Sequence, residues 1–140
     1  MNETNNKQIN WDSITCLIVD DDKFSLTFVK TAPYQIGVKN TKEASTTAEA
    51  VEVLRNYKVN VVLMDQQLPE QSGLHLARQI KEGKIGDNKD LPVIMVTIDT
   101  KENTVLEAKD IGIHEYLVKP ISPLSLKKRL CTAFGIKEKS

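Results

Sequence analysis

Three short runs of apolar residues most constrain what this chain can fold into. They span residues 15–19, 59–65 and 93–97. Runs of this length without polar alternation are typical of strands buried on both faces of a parallel sheet. Each run reaches polar residues at its carboxyl end, where open α/β sheets place their functional groups. The middle run ends in a single aspartate, Asp65, which is therefore the candidate centre of a functional site.

The rest of the chain alternates strand and helix patterns around these runs. Weaker strands are predicted over residues 38–44 and 115–118, and a helix is predicted after each strand. Five strands alternating with five helices indicate an α/β fold, a doubly wound parallel sheet with right-handed crossovers. One domain over residues 13–136 is expected, with a flexible polar tail over 1–12 and a short charged tail over 137–140.

Several helix boundaries carry sequence signals. Thr46 and Glu49 form a predicted capping box that opens the second helix, and Ser122 before Pro123 opens the last. The fourth helix, predicted over 104–111, ends before a glycine. The apolar faces of the first and last helices are expected to include Phe24, Leu26, Phe28, Val29, Leu124, Leu126, Leu130 and Phe134.

Composition excludes several classes of function. The 140 residues carry 19 basic and 19 acidic side chains, so no bulk attraction to nucleic acid or anionic membrane is implied. No apolar run approaches the roughly 20 residues of a membrane span. The polar amino terminus lacks the apolar stretch of a signal peptide. Cys16 and Cys131 form no metal or redox spacing, and Cys16 reads as a buried thiol. These features favour the cytoplasm.

Polar groups follow four of the five predicted strands. They are Asp20 to Asp22, then Asp65, Thr97 and Lys119. Taken singly, each has an ordinary structural interpretation, such as a helix cap, a turn residue or a surface lysine. Taken together, they place carboxylates, a hydroxyl and an ammonium at one edge of the sheet. Clustered carboxylates favour a hard cation such as Mg²⁺, and a carboxylate beside Mg²⁺ can itself accept a phosphoryl group.

These residues, in their order and spacing, resemble the response-regulator receiver domains of two-component signalling. The resemblance rests on Ile18-Val19-Asp20-Asp21-Asp22, on Leu63-Met64-Asp65 with Leu68-Pro69 and Gly73-Leu74, on Thr97, and on Tyr116-Leu117-Val118-Lys119-Pro120. It covers residues 14–134, and it implies a flavodoxin-like fold with strand order 2-1-3-4-5.

The resemblance also implies a role for each site residue. Asp65 would accept a phosphoryl group from a phosphohistidine on a histidine kinase or histidine phosphotransfer protein. Asp21 and Asp65 would bind Mg²⁺ directly, together with the backbone carbonyl of Gln67, and Asp20 would act mainly through a metal-bound water. Lys119 would pair with the phosphoryl group.

The family's conformational switch would involve Thr97 and Tyr116. Thr97 would move to hydrogen-bond a phosphoryl oxygen, and Tyr116 would rotate inward as it does. The surface of the fourth helix, fifth strand and last helix would then change and meet a downstream protein of unknown identity. The chain would be a monomer or weak dimer without direct nucleic-acid contact or membrane insertion, and its only reactions would be its own phosphorylation and dephosphorylation. The Lys119–Pro120 bond is predicted to be cis.

Two departures from the family pattern leave alternatives open. Ile98 follows Thr97 where the family usually has a small residue, so access to Asp65 is expected to be restricted. A phosphorylation-independent interaction module on the same fold is one alternative. A Mg²⁺-dependent phosphatase is disfavoured because Gln67 stands where such enzymes carry a second acid. A flavin carrier is disfavoured because three aspartates would repel the flavin phosphate.

Overall fold

The computed structural model describes residues 9–98, 109–113 and 115–136. Within them, five parallel strands form one sheet in the order β2-β1-β3-β4-β5. The strands are β1 (Thr15–Val19), β2 (Asn40–Ala44), β3 (Val61–Asp65), β4 (Val93–Thr97) and β5 (Glu115–Val118). The described helices are α1 (Lys23–Gln35), α2 (Thr47–Asn56), α3 (Gly73–Lys81) and α4 (Pro123–Ala133), preceded by a 3₁₀ turn at Trp11–Ser13.

This architecture confirms the predicted fold class and strand order. β1, β4 and β5 have the predicted bounds, whereas β2 and β3 each begin two residues later than expected. Val38 and Val59 are buried but lie ahead of the paired segments. Most of the helix predicted over 104–111 lies outside the described residues. Lys109 and Asp110 are helical, and Gly112 follows them at φ +88°.

Strand residues alternate between two hydrophobic cores, one on each face of the sheet. Leu17, Met64 and Met95 point to the core under α2 and α3. Ile18 and Leu63 point to the core under α1 and α4. We call these the α2/α3 face and the α1/α4 face. Since side chains alternate along a strand, consecutive residues of each strand supply opposite faces of the sheet.

The apolar faces of two helices are confirmed at Leu26, Val29, Leu126, Leu130 and Phe134 but differ from the prediction at three residues. Phe24 and Phe28 are 79% and 73% exposed, and Leu124 is 60% exposed. α1 instead buries Leu26, Val29, Ala32 and Pro33, and α4 buries Leu126, Leu130 and Cys131. Residues 26, 29, 32 and 33 follow helical spacing, so Phe24 and Phe28 fall outside their stripe. Apolar character alone therefore does not predict which side chains of these helices are buried; the residue must also lie on the stripe that faces the sheet.

Side-chain caps begin each described α-helix. Asp22, Thr46, Ser72 and Ser122 each accept a hydrogen bond from a backbone N–H of the first helical turn. Glu49 completes the predicted capping box one residue early, because its carboxylate accepts from the N–H of Ser45. Among the residues described, no helix is long and apolar enough to cross a membrane.

Ile9 and Trp11, which fall within the predicted tail, pack against the core of the α1/α4 face. The predicted burial of Cys16 is confirmed, and this burial raises the pKa of its thiol to about 12. A thiol so protected is unreactive at neutral pH.

Candidate functional site

Strand register brings three charged side chains to one point of the sheet edge. Val19 of β1 pairs with Met64 of β3, so Asp20 and Asp65 leave their strands at the same level. β5 reaches the same edge, where the N–H of Lys119 donates to the carbonyl of Thr97 at 3.0 Å. Asp65 and Lys119 each lie two residues after Leu63 and Leu117, which both belong to the α1/α4 core, and so their side chains share that face. The three charges therefore converge on the α1/α4 face.

Lys119 lies between the two carboxylates. Its Nζ is 2.9 Å from Oδ2 of Asp20 and 3.4 Å from Oδ2 of Asp65. The Lys119–Pro120 peptide is cis, as predicted. The ammonium thus engages Asp20 more closely than Asp65.

Ser25 is a further member of the site that the sequence patterns did not indicate. Its hydroxyl donates to Oδ2 of Asp20 and accepts from Nζ of Lys119, the latter at 2.6 Å. A serine in the first turn of a helix most often faces solvent, so no pattern in the sequence marks it. Only the packing of α1 against the strand ends brings the hydroxyl to Asp20.

Asp20 is an almost completely buried carboxylate that is well supplied with donors. It is 1% exposed and accepts hydrogen bonds from Lys119, Ser25 and the N–H of Asp22. Burial alone raises the pKa of Asp20, but these hydrogen bonds outweigh burial and hold the pKa below its ordinary value. Asp20 is therefore ionised.

Asp65 lies in a different electrostatic environment although it is close to Asp20. Burial raises the pKa of its carboxyl, and the attraction of Lys119 only partly offsets this because the charge of Asp20 acts in the opposite sense. Burial lowers the pKa of Lys119, but its two carboxylate partners outweigh burial and raise it. One ammonium therefore serves two carboxylates and leaves Asp65 less neutralised than Asp20.

The first residue of α3, Gly73, packs against the backbone of Asp65. The N–H of Gly73 donates to the carbonyl of Gln66 at 2.7 Å, and the side chain of Gln66 accepts from Leu74. A Cβ atom on Gly73 would overlap the backbone carbonyl oxygen of Asp65. Glycine is required here by this close approach of two backbones.

Asp20, Asp21 and Asp65 together offer carboxylate oxygens to a cation. One oxygen from each lies within 4.8 Å of the others, and Asp21 is exposed to solvent. Gln67, also predicted as a ligand through its backbone carbonyl, lies in the loop beside them, and its N–H donates to Oδ1 of Asp65 at 3.3 Å. An all-oxygen, carboxylate-rich and partly open site has the chemistry that Mg²⁺ prefers.

The two predicted switch residues lie on the other face of the sheet. Thr97 is 1% exposed and has the same alternation as Val93 and Met95, whereas half-buried Tyr116 packs against the α2/α3 core. Ile98 follows on the α1/α4 side and is 73% exposed. It lines a cleft of about 440 Å³ together with Phe28, Ser25, Lys119, Pro120 and Ile121.

A carboxylate cluster with a lysine at the edge of a doubly wound sheet is the arrangement of a known family. Residues 16–131 match the family model of the response regulator receiver domain. The chain belongs to this family, whose members are signalling domains of two-component systems rather than classical enzymes.

Relatives of known role agree with this membership. The chain is 32% identical over 118 residues to chemotaxis protein CheY-3 of Vibrio cholerae, covering 84% of this chain and 89% of that protein. It is 34% identical over 116 residues to the phosphate regulon transcriptional regulatory protein PhoB of Pseudomonas aeruginosa, covering 83% of this chain and 49% of that longer protein. In structure it is similar to the CheX-CheY-BeF3-Mg complex from Borrelia burgdorferi, with a TM-score of 0.78, 26% identity and coverage of 90% and 95%.

Proposed function

We propose that this receiver domain is a phosphoacceptor whose sole acceptor is Asp65. The observation that carries the proposal is the position of Asp65, within 3.4 Å of the Lys119 ammonium and beside two further carboxylates at the sheet edge. The phosphoryl donor is a phosphohistidine of a histidine kinase or phosphotransfer protein. An oxygen of Asp65 attacks the phosphorus, the phosphorus–nitrogen bond breaks, and the imidazole leaves with the electron pair.

The chain's own residues orient and neutralise the reacting groups. Lys119 pairs with the phosphoryl group and offsets negative charge, as preorganised cations do in phosphoryl transfer. Thr97 donates its hydroxyl to a phosphoryl oxygen. The acceptor is 12% exposed at its side chain, so it is open to a donor while most bulk water is excluded.

Mg²⁺ fits the donor set of this site. Asp21 and Asp65 would hold it directly with the backbone carbonyl of Gln67, and Asp20 would act mainly through water. When bound, the ion supplies positive charge that relieves repulsion between the carboxylates and the incoming phosphoryl group.

We propose that Thr97 and Tyr116 carry the effect of phosphorylation to a partner. Half-buried Tyr116 packs against the α2/α3 core, and movement of the two side chains would alter the surface of the predicted fourth helix, β5 and α4. The Borrelia relative was crystallised in complex with CheX, which shows that a similar domain has a protein partner. For this chain we propose a downstream protein of unknown identity and a cytoplasmic location.

Substitution of the acceptor tests the proposal most directly. Asp65→Asn is expected to abolish acid-labile and base-labile phosphate incorporation from acetyl phosphate with Mg²⁺, because an amide cannot act as the nucleophile. The matched control is Asp87→Asn, which removes an exposed loop carboxylate and should label like the unsubstituted protein. Unchanged labelling of Asp65→Asn would refute the assignment. No labelling of the unsubstituted protein would favour the phosphorylation-independent alternative.

A second prediction concerns the cation. Asp21→Ala is expected to remove most Mg²⁺-dependent amide shifts, because Asp21 is the exposed ligand of the three carboxylates. The measurement is a Mg²⁺ titration of both proteins followed by NMR, with Asp87→Ala as the control. A response to Mg²⁺ that survives in Asp21→Ala would place the ligands elsewhere.

A further inference from the structure

Three polar atoms form a closed triangle beside the proposed acceptor. Nζ of Lys119 lies 2.9 Å from Oδ2 of Asp20 and 2.6 Å from Oγ of Ser25, and the Ser25 hydroxyl donates to the same Asp20 oxygen. A hydroxyl has one donor and two acceptor lone pairs, so Ser25 satisfies both partners at once. The triangle holds the ammonium from two sides.

The position of the Ser25 hydroxyl is fixed by the start of α1. The N-cap carboxylate of Asp22 accepts from the N–H groups of Phe24 and Ser25 at 2.9 and 3.4 Å. The carboxylate of Asp20 in turn accepts from the N–H of Asp22. Ser25 is therefore anchored to the same loop that carries two of the clustered carboxylates.

The ammonium of Lys119 is drawn toward Asp20 by this arrangement. Its distance to Asp65 is 3.4 Å, against 2.9 Å to Asp20. An ammonium has three donors, and two of them are used on the Asp20 side. We infer that Ser25 is a positioning residue, which keeps the Lys119 ammonium beside Asp20 and so prevents it from closing onto the oxygens of Asp65.

This inference rests on the proposed acceptor role of Asp65. An acceptor oxygen in a tight ion pair has fewer lone pairs free for attack, and it is also covered by the ammonium. Phosphoryl transfer depends mainly on positioning, so a small displacement of Lys119 has a large kinetic effect. Loss of the Ser25 hydroxyl should therefore slow labelling of Asp65.

Three variants separate this role from a structural one. Ser25→Ala removes the hydroxyl without harming α1, since alanine is the stronger helix former. Ser25→Thr keeps the hydroxyl, and its added methyl group can enter the cleft that Ser25 lines. Thr27→Ala is the control on the same helix, because the Thr27 hydroxyl donates to the carbonyl of Lys23 within α1.

The experiment has two readouts. In the metal-free, unphosphorylated protein, the ammonium resonance of Lys119 is expected to shift and broaden in Ser25→Ala and to stay near its original position in the other two variants. With saturating Mg²⁺, labelling by acetyl phosphate is expected to fall about fivefold to tenfold in Ser25→Ala and to recover in Ser25→Thr.

Each contrary result has one meaning. An unchanged Lys119 resonance in Ser25→Ala, or labelling as fast as or faster than that of the unsubstituted protein, would overturn the inference. Slow labelling of Ser25→Thr to the same degree as Ser25→Ala would also overturn it. If the unsubstituted protein is not labelled at all, the proposed function fails, while the resonance still tests the position of Lys119.

Discussion

The two faces of the sheet carry different kinds of side chain where they reach its carboxyl edge. On the α1/α4 face, the Lys119 ammonium lies within hydrogen-bond or ion-pair distance of two carboxylates and a serine hydroxyl. On the α2/α3 face, the corresponding edge carries the buried hydroxyl of Thr97 and the half-buried ring of Tyr116. Each face has its own hydrophobic core, so the two sets are supported by different helices.

Because of this difference, the two faces are expected to have different roles at the carboxyl edge of the sheet. Under the proposed function, the charged face would hold the phosphoryl group, and the neutral side chains of the other face would rearrange without exposing a charge. Thr97 links the two faces, because its carbonyl accepts from the N–H of Lys119. The following predictions test how independent the two faces are, from the largest expected effect to the smallest.

Gly73→Ala tests whether α3 supports the acceptor from the α2/α3 face. The added Cβ would overlap the carbonyl oxygen of Asp65, so either α3 or the end of β3 must move. We expect a loss of roughly 2–3 kcal/mol in the free energy of unfolding and at least tenfold slower labelling of Asp65, measured by denaturant titration and acetyl phosphate.

Gly83→Ala is the matched control for this prediction. Gly83 has φ +78° and open space where a Cβ atom would lie, so alanine there introduces backbone strain alone. It should lower stability without changing the labelling rate. Normal labelling of Gly73→Ala would show that the acceptor is supported independently of α3.

Most of the fold could be predicted from the sequence, because buried parallel strands have a simple sequence pattern. Strands buried on both faces are continuous apolar runs, and the bounds of β1 and β4 follow directly from them. The buried faces of the helices were harder to predict, because exposed aromatic residues have the same apolar character as core residues. Phe24 and Phe28 are four residues apart and form a stripe of their own, but they remain exposed.

The charged members of the site were also predictable, whereas their arrangement was not. Asp20, Asp65 and Lys119 stand out because each lies at the carboxyl end of a strand or directly after it. Ser25 has no such mark, and its contact with Lys119 spans 94 positions of the chain. The unequal distances from Lys119 to its two carboxylates depend on that contact and on packing, which no local pattern encodes.

Ile98→Ala tests the access route on the charged face. Ile98 lines the cleft that also contains Lys119, and its β-branched side chain is stiff at χ1. Truncation is expected to accelerate both labelling and decay of the phosphorylated form by roughly tenfold, about 1.4 kcal/mol of barrier. Both rates would be measured under the same Mg²⁺ concentration.

Val118→Ala provides the comparison on the opposite face. Val118 pairs with Thr97 across the strands and is 49% exposed. Its side chain lies on the same face of the sheet as Tyr116, and Lys119 lies on the other face. Its truncation should leave both rates unchanged. Equal rates for Ile98→Ala and the unsubstituted protein would show that bulk at this position does not limit access to Asp65.

The smallest expected effect is a pH-dependent gain in stability when the acceptor loses its charge. The pKa of Asp65 is raised by burial and by Asp20, so the folded protein binds this proton more tightly than the unfolded chain does. The stability that this group contributes is therefore present at low pH and is lost as pH rises through its folded pKa. Near pH 7 without Mg²⁺, Asp65→Asn should be more stable by about 1 kcal/mol, or roughly 3–5 °C in Tm.

Acidification and metal should both remove this advantage. Asp20 behaves in the opposite sense, because its lowered pKa gives stability that disappears as pH falls, and it does so in both proteins. The difference in Tm between Asp65→Asn and the unsubstituted protein therefore reports chiefly on the charge of Asp65, and it should shrink toward zero below about pH 4. Excess Mg²⁺ should shrink it as well, since the ion stabilises only a native site that retains its ligand.

Asp87→Asn should show no difference at either pH. A difference in Tm that stays constant across pH would mean that the gain comes from packing rather than from charge. The charge of Asp65 would then not destabilise the α1/α4 face.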